Sequence, residues 1–326
     1  VYFVFFVVKY SVKSVKSVDK KTVLVTGGAG FIGSHLVEHF QGTAHVRVLD
    51  NFRSGFRHNL DGLDCELIEG SVTDRKAVRA AVAGVDYVFH LAAMISVPES
   101  MSDPVACNVI NAAGTLIVLQ ESANAGVGKL CLSSSAAIYG DNPTVPKTED
   151  MLPEPKSPYA VTKLDGEYYC KMFNDEGWLP TACMRYFNVF GPRQDPKSQY
   201  AAAVPIFIDK AIQGRPLTIF GDGEQTRDFV YVKDVVAANV FLAEHPALSG
   251  VYNVAYGRRI TVSDLAHRII DLTGSQSTIE YGPQRPGDVK HSMAAVDKLN
   301  AAGLTLTDNF SAGLAETIGF FRSKNE

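Results

Sequence analysis

The sequence predicts an α/β protein, a doubly wound parallel sheet followed by a smaller C-terminal lobe. Three observations predict it. From residue 22 to about residue 190, short apolar runs alternate with helical patterns, as in a parallel sheet with helices on both faces. A glycine-rich turn joins the first apolar run to the first helical stretch. Beyond about residue 190 the elements shorten and Gly and Pro become more frequent.

Six stretches read as strands in order: TVLVTG (22–27), HVRVLD (45–50), CELIEG (65–70), DYVFHLA (86–92), KLCLSS (129–134) and TACMRYF (181–187). Helical stretches fall between them, near 31–41, 74–83, 104–125 and 157–177. Sheets of this kind bind ligands beyond the carboxyl ends of their strands. Residues 1–20 are set apart. VYFVFFVV is too short to span a membrane, and the SVK rhythm after it fits neither helix nor strand. The segment lacks the positive start and small-residue cleavage site of a signal peptide. An extra strand, a weak membrane contact and an extension without a role all remain open.

Composition narrows the function classes. The 326 residues are 46% hydrophobic and 20% charged, enough for a large core and one or two domains. A formal net charge of -4 gives no basic footprint for nucleic acid, and no membrane partner is expected. Cys65, Cys107, Cys131, Cys170 and Cys183 are scattered with no CxxC pair, and read as reduced thiols of a cytoplasmic protein. His35 and His39 lack an HExxH context and read as a helix face, so no metal site is expected.

VLVTGGAGFIGSHLVEHF (23–40) carries the first chemistry. Gly27, Gly30 and Gly33 satisfy GxxGxxG, while Gly28, Gly30 and Gly33 satisfy GxGxxG. Glycines let a pyrophosphate approach the main chain, and the helix start presents free N–H groups and partial positive charge to it. Placed after a strand and before a helix, this is the context of a Rossmann-type dinucleotide site. Asp50 ends the second strand 17 residues after Gly33, with Asn51 next. A carboxylate there suits ribose hydroxyls and repels a 2'-phosphate, favouring NAD over NADP. Arg53 and Arg57 lie nearby and are assigned to a loop or to phosphate contacts.

SPYAVTK (157–163) places Tyr159 and Lys163 four apart, on one face of a helix. An ammonium beside a phenol favours the phenolate, so the pair predicts a tyrosine tuned towards base chemistry.

TGGAGFIG, HLAA (90–93), SSSAAIYG (133–140) and YAVTK (159–163) occur in this order, followed by RYFNVFGPRQ (185–194), GDGEQTRDFVYVKDV (221–235) and RPGDVKHS (285–292). Together they resemble the extended short-chain dehydrogenase/reductase family, over nearly the whole chain after residue 21. Within it the motifs are most similar to UDP-hexose 4-epimerases, in particular the bacterial branch acting on UDP-N-acetylhexosamines.

The resemblance implies Ser135, Tyr159 and Lys163 as catalytic residues. Tyr159 would be the base, Ser135 would donate to the sugar 4-oxygen, and Lys163 would hold the nicotinamide ribose and lower the Tyr159 pKa. Ser133 or Ser134 would assist or pack. Hydride would leave carbon 4 for NAD, the 4-keto sugar would turn, and hydride would return to its other face, with NAD regenerated and retained. The resemblance implies an NAD site of Gly27, Gly30, Phe31, Ile32, Gly33, Asp50 and Asn51, then Ser71, Val72, Leu91, Ala92 and Ala93, together with Tyr159 and Lys163. Ser71 departs from the family, which often has aspartate there.

For substrate it implies Ser96, Val97, Ser135, Tyr159 and Asn188, the phosphate-clamping Arg227 and Arg285, and Asp288 on the uridine-ribose side. Ser292 replaces a bulky tyrosine of epimerases restricted to non-acetylated sugars, and so leaves room for a 2-acetamido group. The expected reaction is therefore UDP-GlcNAc to UDP-GalNAc, with UDP-glucose also admitted.

The implied organisation is an N-terminal extension (1–20), an NAD-binding domain with the catalytic residues (21–190) and a mainly substrate-binding lobe (191–326) interleaved with it. The implied assembly is a homodimer through helices near 104–125 and 157–177. Competing readings are a UDP-glucose 4-epimerase, a related decarboxylase, a dehydratase and an idle dinucleotide sensor. Ala136 and Ala137 stand where 4,6-dehydratases carry acids, which disfavours dehydration. The sensor predicts loss of the Tyr–Lys pair or the serine, and all three are present.

Overall fold

A computed structural model describes residues 20–196, 202–284 and 290–325. The N-terminal stretch 1–19, Arg285 and Asp288 lie outside the described residues. The main sheet has seven parallel strands. Six are those expected from the sequence: β1 (Thr22–Thr26), β2 (His45–Asp50), β3 (Glu66–Glu69), β4 (Tyr87–His90), β5 (Lys129–Ser135) and β6 (Thr181–Tyr186). Their order across the sheet is β3-β2-β1-β4-β5-β6, with Gly250–Val254 added beyond β6. Connections run outward in both directions from the β1–β4 boundary, which opens a crevice at the strand carboxyl ends.

Alternation within β1 builds two cores. Val23 and Val25 face one layer with Leu36 and Val37 of helix α1 (Phe31–His39) and with Val235 and Leu242 of helix Val232–Glu244. Leu24 faces the other with Val78, Val118, Leu119 and Phe173. Strands covered on both sides are apolar throughout, which is why these runs are continuous in sequence. A third cluster around Phe190, Phe207, Leu217, Leu265 and Phe310 forms the core of the C-terminal part.

Helix boundaries follow their caps. Asp74 accepts from Lys76 N at 2.9 Å and opens helix α2 (Arg75–Val82). Ser157 accepts from Ala160 N at 3.2 Å, with Pro158 at the first position, and opens helix Pro158–Asp175. The helix expected over 104–125 is interrupted. It runs as Pro104–Asn108, a π-helical turn Val109–Ala113, then Gly114–Asn124. Within that turn Asn111 clasps the Met94 backbone, accepting from its N–H at 2.7 Å and donating to its carbonyl at 3.0 Å. The local unwinding thus accompanies a tie to the loop after β4.

Candidate active site

A groove of about 350 Å³ lies at the β1–β4 crevice. Gly27, Gly30 and Gly33 line it with Phe31 and Ile32 at the start of α1. Gly27 has φ 72°. A Cβ at Gly33 would sit 2.2 Å from Gly27 O, and one at Gly27 would sit 2.8 Å from Ala92 N. Gly28 instead packs against Val48, where a Cβ would meet a methyl at 2.7 Å. The set facing the groove is therefore 27, 30 and 33.

The remaining expected cofactor contacts converge here. Asp50 and Asn51 line the groove, as do Ser71 and Val72, and Leu91, Ala92 and Ala93. Asp50 Oδ2 accepts from Ala29 N at 2.9 Å and Oδ1 from Phe52 N at 2.8 Å, fixing the carboxylate. Burial raises its pKa, while these bonds oppose the rise. Each oxygen keeps a lone pair for a further donor. The Ser71 hydroxyl is shared with Thr73 at 2.8 Å. The glycine cradle, the helix start and the fixed carboxylate fit a dinucleotide.

At the end of β5 the catalytic candidates come together. Tyr159 lies close enough to Ser135 for the serine hydroxyl to favour its phenolate, and Lys163 donates to Ser133 O at 2.7 Å. Ser133 itself lines the groove, so the pair of strand and helix ends borders it. Burial pushes the Tyr159 phenol up, the Ser135 hydroxyl pulls it back and Cys107 adds to the rise. Burial lowers Lys163 to about 8, with Cys107, Cys183 and Glu167 opposing. The expected depression of Tyr159 by Lys163 is thus not what this geometry gives. The ammonium is turned to the Ser133 carbonyl and lies 5.8 Å from the Tyr159 ring centroid.

Candidates expected from the sequence to meet substrate lie around one short segment. Thr226–Arg227 forms a strand with Ile260–Thr261, and Ser292 N donates to Thr226 O at 3.1 Å. Asn188 N donates to Asp228 O at 3.0 Å. Asp228 is fully buried and accepts from the backbone of Tyr256, Gly257, Arg258 and Ala294. Burial raises it to about 6 against those four bonds. Ser96 caps helix Val97–Ser102 by accepting from Glu99 N at 3.1 Å, and Val97 is exposed. Neither Ser96 nor Val97 lines the groove.

Several residues escaped the sequence reading. Gln194 and Arg193 line the groove from the loop after Asn188–Phe190. The GPRQ run was the available signal. Ser100 is buried and its Oγ accepts from Tyr159 N at 3.2 Å, setting the start of the Tyr159 helix. Nothing in its sequence neighbourhood marked it. Among the described residues no three His, Cys, Asp or Glu side chains gather as a metal site, and no helix is long and apolar enough to cross a membrane.

Sheet order, glycine cradle and the Ser–Tyr–Lys group define a dinucleotide-dependent α/β enzyme fold of the extended short-chain dehydrogenase/reductase type. The model of the NAD dependent epimerase/dehydratase family matches residues 23–255, and the chain belongs to that family. Its cofactor is NAD. The chain is 37% identical to UDP-glucose 4-epimerase of Mycolicibacterium smegmatis, covering 93% of this chain and 99% of the relative. It is 35% identical to UDP-N-acetyl-alpha-D-glucosaminuronate decarboxylase of Bacillus cytotoxicus, over 81% and 84%. A UDP-N-acetylglucosamine 4-epimerase from Methanobrevibacter ruminantium M1, solved with UDP-N-acetylmuramic acid, superposes with a TM-score of 0.91 at 40% identity, over 94% and 99%.

Proposed function

We propose that the protein epimerises a UDP-hexose at carbon 4, with UDP-GlcNAc and UDP-GalNAc as the preferred pair. The observation that carries this is the gathering of Ser135, Tyr159 and Lys163 at the end of β5, at the border of the glycine-lined groove, with Lys163 held by the Ser133 carbonyl. Bound NAD supplies the acceptor and donor of hydride at carbon 4. Tyr159 Oη takes the proton of the 4-hydroxyl and later returns it. Ser135 Oγ donates to the same oxygen as charge shifts. Lys163 holds the ribose side with N–H donors not directed at Ser133. Ala136 and Ala137 offer no proton to a leaving group at carbons 5 and 6, which supports epimerisation over dehydration.

Asn188 and Arg227 serve the diphosphate in this proposal, together with Arg285, and Asp288 serves the uridine ribose. Ser292, Ser96 and Val97 bound the 2-substituent. Five free cysteines fit the reducing cytoplasm. Met101, Val105 and Val109 at four-residue spacing, and Val161, Tyr168 and Met172 on the Tyr159 helix, are exposed. Met101 and Val161 line one depression, so the two stripes adjoin, and we assign them to a homodimer interface.

A second reading, with UDP-glucose preferred, is favoured by the similarity to the M. smegmatis enzyme. Proton NMR separates the two. The protein is incubated with UDP-GlcNAc and, separately, UDP-glucose. Faster formation of UDP-GalNAc supports the proposal, faster UDP-galactose supports the second reading, and no change of either sugar with NAD added rejects both.

A further inference from the structure

Helix Pro158–Asp175 meets the end of β5 through three residues one turn apart. Tyr159 stands beside Ser135, Lys163 bonds the Ser133 carbonyl, and Glu167 accepts from Ser134 Oγ at 2.5 Å. Residues i, i+4 and i+8 share one helix face, so three consecutive strand residues are gripped by one stripe. The first two contacts belong to the chemistry proposed above. The third has no role there, and it is the most heavily built.

The Glu167 carboxylate is 4% exposed and takes a two-pronged ion pair from Arg185, with Nε to Oε1 at 2.9 Å and Nη2 to Oε2 at 2.7 Å. Arg185 lies on β6 directly opposite Ser134 of β5. Its guanidinium also stands 4.7 Å from the centroid of Tyr139, whose hydroxyl donates to Asn253 Oδ1 at 2.7 Å. Helix, β5, β6 and the turn after β5 are thereby tied at one buried point. A buried ion pair adds little net stability over apolar filling, because desolvation of both ions offsets their attraction. What the paired fork does add is a fixed distance and angle. Apolar packing in its place would let the helix slide along the strand by fractions of a turn.

We propose that Glu167 and Arg185 are the positioning pair of this site. They set the register of the Tyr159 helix against β5, so that Tyr159 reaches Ser135 and Lys163 stands at the groove. The inference rests on the catalytic reading of those three residues.

The test uses the NAD-loaded full chain with Glu167→Gln, and with the double change Glu167→Met and Arg185→Met. The double variant leaves no unpaired buried charge and should fold about as stably as wild type. Both variants should keep NAD and a near-unchanged KM while kcat falls about a hundred-fold, the scale of a misplacement near 1 Å. Crystal structures should show the Tyr159 hydroxyl drawn away from Ser135 in the double variant. A folded double variant with wild-type kcat and an unmoved Tyr159 overturns the inference. So does loss of the fold in both variants, since the pair would then hold the core and not the site. If wild-type protein turns over no UDP-hexose, the proposed function fails, and the Tyr159 displacement still decides the positioning claim.

Discussion

Lys163 Nζ donates to the main-chain carbonyl of Ser133 at 2.7 Å, and this bond joins the Tyr159 helix to a residue that lines the cofactor groove. It accounts for how a buried ammonium is tolerated there. One of its three donors is satisfied by the strand end, and the charge is poised between groove and phenol. Burial still takes its pKa down to about 8. The lysine is therefore a charge held where it is costly, beside the Tyr159 phenol.

Replacing Tyr159 by Phe removes the proposed proton acceptor while keeping the ring. Turnover should fall by about 10²–10⁴-fold, the usual scale of general acid–base catalysis. NAD content should be unchanged, as read from absorbance after denaturation. Wild-type turnover would reject Tyr159 as the base.

Lys163→Met should change how stability depends on pH. In the unfolded chain the lysine keeps its proton up to 10.5, while in the fold it loses it near 8. Between those values the unfolded state binds more protons, so Lys163 makes stability rise with pH across that window. Denaturant unfolding of both proteins from about pH 8 to 10.5 reads the difference. The variant should lack that rise. Parallel curves would mean that Lys163 is charged throughout.

Ser292→Tyr should narrow the substrate side. Its backbone is fixed by the bond from Ser292 N to Thr226 O, so a larger side chain has little freedom to retreat as a unit. The loss in kcat/KM should be at least about ten-fold larger for UDP-GlcNAc than for UDP-glucose. Equal losses on both substrates would remove Ser292 as the size filter.

Val105→Glu places a charge in the exposed apolar stripe, where Val105 is 72% exposed. Sedimentation velocity should show a dimer for the wild type and a monomer, or a dimer weakened by about 2 kcal/mol or more, for the variant. A monomeric wild type at micromolar concentration would reject the interface.

The glycine loop, Asp50 and the YxxxK spacing were legible because each is a local demand. A tight turn needs residues without a Cβ, and a helical face needs a spacing of four. Sequence left GxxGxxG and GxGxxG equal, and only packing separated them, since Gly28 is filled by Val48 while Gly27 faces the groove. Strand placement was legible for the same local reason, as both faces of β1 and β6 are buried and their runs are apolar.

By itself, then, the sequence determined which segments become strands and helices, where a dinucleotide phosphate can approach the backbone, and which tyrosine and lysine share a helix face. Tertiary structure alone decided what those groups meet. Ser133, Ser134 and Ser135 form one run along the chain, yet the helix stripe gives each a different neighbour. Glu167 and Arg185 are 18 residues apart in sequence and read as two ordinary charges. They become one buried pair because β6 returns beside β5, and long-range pairing of that kind leaves no local periodicity to read. The direction of the Tyr159 shift was likewise set by burial, a property of the assembled layers and not of any spacing.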